Sequence, residues 1–175
     1  MTARSFTDAL AIVLKEEGGY VDDGRDPGGA TNLGVTARTW FSWSGRAATE
    51  AVMRNLNAAT VSPLYKAWYW DKVGGDRLPV ALAVAVFDFG VNAGPGEAVK
   101  TLQRIVGAPA DGMQGETTSR AIATYAGTIG LAKLIDRFCD ARREFYRQRT
   151  EFPVFGKGWL ARVDRIEKAA LSWAG

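Results

Sequence analysis

Leu78-Pro79-Val80-Ala81-Leu82-Ala83-Val84-Ala85-Val86-Phe87-Asp88-Phe89-Gly90-Val91-Asn92 is apolar almost all round, with Asp88 its lone charge. A helix of this composition has no face to offer water, so it must be buried on every side. Its longest apolar run, Val80 to Phe87, falls far short of the ~20 residues that cross a membrane. The stretch is therefore the central helix of a packed body. Asn92 lies one turn after Asp88 on the same face, and buried polar groups need partners. This pair is expected to brace a neighbouring active-site loop, with Asp88→Asn costing more stability than activity.

Outward from this helix the chain is helical in both directions. Gly94-Pro95-Gly96 ends it, and Pro95 is placed to open another helix running to Val106. A loop from Gly107 to Gly115 leads to a helix near Thr117 to Tyr125. Two longer helices close the chain. One carries Leu131, Leu134, Ile135, Phe138, Arg142 and Phe145 on one stripe, the other Trp159, Val163, Ile166, Ala170 and Trp173. Arg137, Arg142, Arg143, Arg147 and Arg149 are dispersed along one helical stretch, as on a solvated face. On the N-terminal side, helices are expected from about Thr49 to Leu56 and from Asn57 to Trp70. Thr36 can cap a short helix through Trp40. Tyr20 to Thr36 is dense in Asp and Gly, which is turn chemistry for a small hairpin or lobe. The fold class is mainly α, with no internal repeat.

Composition excludes several chemistries. The 175 residues contain no histidine and a single cysteine, Cys139. Zinc sites are built mainly from those two residue types, and Ser-His or Cys-His nucleophiles need the missing base. No metal and no cofactor is implied. Cys139 follows Phe138 on a helix and reads as an inert buried thiol. The net charge of +3 suits an anionic polymer only mildly, and no basic arm suggests nucleic acid. Met1 to Ser5 lacks the layout of a signal peptide, so synthesis in the cytoplasm is expected.

The chemistry gathers at the end of the first helix. Ser5 can cap it, and Phe6, Ala9, Leu10, Val13 and Leu14 form its buried stripe before Gly18-Gly19 stops it, as a left-handed cap would. Glu17 follows Leu14 by three residues and Val13 by four, on the same face. It also sits at the negative pole of the helix. Both effects disfavour the charged carboxylate, so its acid form is expected to persist toward neutral pH. Such an acid can protonate the leaving oxygen in glycoside cleavage. Glu16 points elsewhere, toward solvent. Asp26 follows Glu17 after eight intervening residues, in a segment that can fold back over the helix end. A second carboxylate across a cleft completes the equipment of most glycosidases. Asp22 and Asp23 are alternatives, and a turn role before Pro27-Gly28-Gly29 competes for Asp26.

Glu17-Gly18-Gly19-Tyr20, with Asp26-Pro27-Gly28-Gly29-Ala30-Thr31-Asn32-Leu33-Gly34-Val35-Thr36, resembles glycoside hydrolase family 108. The match continues through Tyr65, Tyr69-Trp70-Asp71, Phe87-Asp88 and Val91-Asn92-Ala93-Gly94. Leu102-Gln103, Asp111-Gly112, Gly115, Thr118 and Ala121-Ile122 resemble the predicted peptidoglycan-binding region that follows such catalytic parts, though Gln103 can equally serve to hold its loop by hydrogen bonds. The resemblance implies a lysozyme-like helical fold with a small hairpin lobe after the first helix. It also implies two regions, 1–93 and 94–175, packed as one body. By it, Glu17 is the catalytic acid of an N-acetylmuramidase that cleaves the β-1,4 bond between N-acetylmuramic acid and N-acetylglucosamine.

The family also looks distantly like phage-type lysozymes, which place an acidic or cysteine residue at the spacing of Asp26 and a threonine beyond. That implies a water-activating role for Asp26, aided by Thr31 or by Thr36. Tyr20, Asn32, Trp68, Tyr69, Trp70 and Asn92 are candidates for the glycan groove, since flat rings suit sugar faces and amides suit their hydroxyl and acetamido groups. The expected partner is the glycan strand of bacterial peptidoglycan, met by a monomer in the periplasm after release through a holin or other export route. Lytic transglycosylase and non-catalytic wall-binding module are the competing readings.

Overall fold

The computed structural model describes residues 5–22 and 29–174. Helix α1 (Phe6–Glu17) starts where Asp8 accepts from the Ser5 backbone N–H, half of a capping box. Its stripe of Ala9, Leu10, Val13 and Leu14 is buried. Gly18 ends it at φ 76°, ψ −176°, a positive φ but not the left-handed cap expected.

Strands β1 (Thr31–Asn32) and β2 (Val35–Thr36) form a two-residue antiparallel hairpin, with Thr31 opposite Thr36 and Asn32 opposite Val35. Leu33 and Gly34 both have positive φ, 51° and 72°, as a type I′ turn demands. Leu33 in this region is strained, by about 1–2 kcal/mol. The Tyr65 hydroxyl holds it there, donating to its carbonyl at 2.8 Å. Thr36 then caps α2 (Ala37–Ser44) by accepting from Thr39 N–H.

Helices α3 (Glu50–Arg54) and α4 (Ala58–Tyr65) begin at the caps Thr49 and Asn57. The expected helix to Trp70 widens into a π-helical turn, Lys66–Trp70, and stops. After a 3₁₀ turn at Gly75–Arg77 comes the central helix α5 (Val80–Ala93), whose side chains are buried without a break from Ala81 to Gly90. The helices α6 (Pro95–Val106), α7 (Glu116–Ile129), α8 (Leu131–Arg147) and α9 (Phe152–Leu171) complete the described chain. α1, α6, α8 and α9 all pack on α5, which accounts for its lack of a polar face. Phe89 of α5 meets Phe138 and Phe145 of α8 edge-on, and Phe87 meets Phe6 and Trp70.

The loop between α6 and α7 is held from within. Gln103, 1% exposed, donates to Asp111, to the Met113 carbonyl and to Thr118, and accepts from Gly112 N–H. Its residue type suits this because an amide can donate and accept at once.

Candidate active site

Glu17 ends α1 with its carboxylate between the hairpin turn and the last helix. A Cβ at Gly34 would stand 2.6 Å from Glu17 Oε2 and 2.6 Å from the Tyr65 hydroxyl. Only glycine lets the turn approach this closely, and the same residue supplies the positive φ. Tyr65 and Tyr69 form this wall, their rings 5.5 Å apart. Burial, and then the Glu17 charge, push both phenol pKa values up, so both present neutral hydroxyl groups.

On the other side stands Arg162 of α9. Its Nη2 donates to Glu17 Oε1 at 2.5 Å and to Asp88 Oδ1 at 2.7 Å, while its Nε reaches both Asp88 oxygens at 3.1 Å. Burial would lower the Arg162 pKa, but Asp88 and Glu17 outweigh it and raise it, so the guanidinium keeps its charge. Asp88 is wholly buried and also lies 2.7 Å from Arg142 Nη2, a close ion pair without hydrogen-bond alignment. Arg142 Nε donates to the Tyr146 hydroxyl, which in turn donates to Asn92. When Glu17 is ionised, two carboxylates and two guanidinium groups balance to zero charge in a site where an unpaired ion would be expensive.

Glu16 is the companion of Glu17 in this docking. Arg165, one turn after Arg162, covers it through Nε and Nη2 at 2.6–3.2 Å. The expectation that Glu16 faces solvent is therefore corrected: its side chain is 11% exposed because α9 lies across it. Arg142 is corrected too. It lies on the buried stripe of α8, 1% exposed, and not on a solvated face.

The remaining sequence candidates divide. Asp26 lies outside the described residues. Thr31 sits in β1, with its hydroxyl 3.4 Å from the Gly29 carbonyl, and Thr36 is occupied as the cap of α2. Tyr20 lies under the Arg54 guanidinium, 4.0 Å from ring centre to Cζ. Trp68 is half-buried, edge-on to Trp43. Two expected sugar contacts take structural positions instead. Asn32 is 6% exposed, its amide nitrogen donating to the Met53 carbonyl at 2.8 Å, so it pins the hairpin to α3. Trp70 is 2% exposed and donates to Asp76 at 2.8 Å. Asn92 is exposed and lines a cleft of about 550 Å³ with Tyr146 and Trp159.

Arg162 and Gly34 are the residues that sequence reasoning passed over as site residues. The signal for Arg162 was present: it falls three after Trp159 and four before Ile166, a charge on the buried stripe of α9. Among the described residues, no cluster of acidic or cysteine side chains is arranged to hold a metal.

A helical body with a hairpin lobe over the end of its first helix, and a glutamate beneath that hairpin, defines a lysozyme-like glycosidase fold. Residues 10–94 match the family model Glycosyl hydrolase 108, and residues 97–164 match that of a Predicted Peptidoglycan domain. A solved structure of Brucella abortus SagA is 39% identical, with a TM-score of 0.82, covering 97% of this chain and 95% of that one. No curated protein matches the chain. The chain belongs to glycosyl hydrolase family 108, and it is a glycosidase of peptidoglycan. Its candidate site draws on both matched spans, since Glu17 and Asp88 come from the first and Arg142 and Arg162 from the second.

Proposed function

We propose that the chain is an N-acetylmuramidase that hydrolyses the β-1,4 bond between N-acetylmuramic acid and N-acetylglucosamine, with Glu17 as general acid. The observation that carries this is the placing of the Glu17 carboxylate between Gly34 and Arg162. Glu17 gives its proton to the leaving glycosidic oxygen, and the anion left behind is received by Arg162. Asp88 binds that guanidinium through two nitrogens and so holds it in place beside Glu17. Asp26 orients or deprotonates the attacking water with help from Thr31, a pairing that rests on the spacing in phage-type lysozymes, and Tyr69, Trp68 and Asn92 meet the glycan.

Regions 1–93 and 94–175 divide at Gly94, the last residue of the first family match and the residue between α5 and α6. Delivery of a monomer to the wall through a holin or other export route belongs to the same proposal and rests on the likeness to phage-type lysozymes. Among the described residues no helix is long and apolar enough to cross a membrane.

Mass spectrometry of peptidoglycan digested by wild type and by Glu17→Gln tests the reaction. Reducing muramic ends are expected from wild type and no release from Glu17→Gln. Anhydro ends would make the enzyme a lytic transglycosylase, and retention on sacculi without release would make it a binding module.

A further inference from the structure

The 550 Å³ cleft lies beside the Glu17 site and does not contain it. Asn92 is one turn beyond Asp88 on α5, and Trp159 about one turn before Arg162 on α9. The cleft therefore opens about 5 Å along both helices from the four-charge cluster. Its two sides differ in chemistry. Tyr146, Trp159 and Phe155 form a ladder of rings, with centroids 5.1 and 5.8 Å apart and planes inclined by 30° and 33°. Phe155 is 55% exposed, so the outer end of the ladder is open to a ligand.

The rim carries charge of both signs. Arg149 lies over the Phe145 ring, 5.4 Å from its centre, and no carboxylate among the described residues pairs with it. Glu151 faces the same cleft. Glu97 lines it too, bound to Arg104 at 3.0 Å.

Peptidoglycan sugars are neutral along the glycan strand once the lactyl group of muramic acid is amidated. The charges of the polymer lie in the peptide stems, which carry carboxylates and, in stems with a diamino acid, an amine. A cleft lined by charges of both signs complements a ligand that itself carries both. We propose that this cleft seats the peptide stem branching from the muramic acid next to the cleaved bond. Arg149 meets a stem carboxylate, Glu151 and Glu97 meet its amine, and the ring ladder covers its alkyl portions. The proposal rests on the muramidase reading, which puts muramic acid beside Glu17.

The test measures binding in a Glu17→Gln background, by calorimetry, of a disaccharide tetrapeptide and of the same disaccharide stripped of its peptide and capped as the neutral lactyl amide. The peptide-bearing ligand is expected to bind about tenfold more tightly, the worth of one charge-assisted hydrogen bond. Arg149→Ala, an exposed position that leaves the fold intact, is expected to erase that difference without changing affinity for the stripped disaccharide. Equal affinities for the two ligands, no binding of either, or an equal loss for both on Arg149→Ala would overturn the proposal. Wild-type turnover separates the two readings. Preferential binding of the peptide form without cleavage by wild type would sink the muramidase reading and leave the stem site standing.

Discussion

Arg162 donates from one nitrogen to Glu17 at 2.5 Å and to the wholly buried Asp88 at 2.7 Å, so the last helix holds the end of the first. Removing either partner of a buried pair leaves a charge without compensation, which costs about 3–5 kcal/mol. Arg162→Ala is thus expected to lower stability by roughly that amount in chemical unfolding. Arg162→Lys keeps the charge but loses the fork that reaches two carboxylates. It is expected to stay folded and to lose kcat by about 10–100-fold with KM little changed, as for stabilisation confined to the transition state. Unchanged kcat in a folded Arg162→Lys would reduce Arg162 to a structural clamp.

Asp88→Asn separates the same roles from the other side. Its loss leaves Arg142 and Arg162 buried with reduced compensation, so unfolding is expected to ease by about 3 kcal/mol or more. Activity per folded molecule is expected to fall less than stability, because Arg162 still reaches Glu17. Denaturation curves and turnover corrected for folded fraction measure the two effects. A stable but inactive variant would contradict this division.

Gly34→Ala probes the other wall. A Cβ there meets Glu17 Oε2 and the Tyr65 hydroxyl at 2.6 Å each, so the carboxylate must move. A displacement on the order of 1 Å can cost about 100-fold in rate. Gly45→Ala supplies the control, since Gly45 has a similar φ of 67° with nothing within 4 Å of its Cβ. Each is expected to lose about 1 kcal/mol of stability from the left-handed backbone, but only Gly34→Ala should lose activity. Equal activities would show that the turn does not position Glu17.

These residues also mark where the sequence was legible. The stripe of α1, the all-round apolar α5 and the Pro95 start of α6 follow from local composition, so they appear where expected. Gln103 was readable as a loop holder because its partners lie within 15 positions. Arg162 is 145 positions from Glu17, and no local pattern states that two such residues meet. Arg142 was ambiguous for a related reason. It lies on the apolar stripe of α8 but among surface arginines, and only the buried Asp88 decides for the stripe. Asn32 and Trp70 carry chemistry that suits either a sugar or a core, and burial by distant helices decides between them.

Gln103→Leu tests the loop between α6 and α7. The substitution keeps bulk but deprives Gly112 N–H, Asp111, the Met113 carbonyl and Thr118 of one shared partner. A loss of about 2–4 kcal/mol is expected, several weak bonds and one stranded donor combined. Catalysis in the folded fraction should be unaffected, because the loop does not touch Glu17. Loss of turnover at full stability would place the loop in the catalytic path.

Alkaline pH is expected to destabilise the fold. Burial pushes the Cys139 thiol from its ordinary 9.0 up to about 12, and raises the Tyr65 and Tyr146 phenols above their ordinary 10.0. Each group thus keeps its proton longer in the fold than in the unfolded chain. Their contribution is fully present below about pH 9, where both states are protonated. Above pH 9–10 the unfolded chain sheds protons that the fold retains, so stability falls as pH rises, by about 1.4 kcal/mol per pH unit for each group. Melting temperature is expected to hold steady with respect to these groups from pH 7 to 9 and then to drop steeply. The same burial keeps Cys139 from forming thiolate, so an aromatic disulfide reagent at pH 8 should label it only after denaturation. Rapid stoichiometric labelling of the native protein would mean that α8 opens around Cys139 far more readily than its packing against α5 and α9 implies.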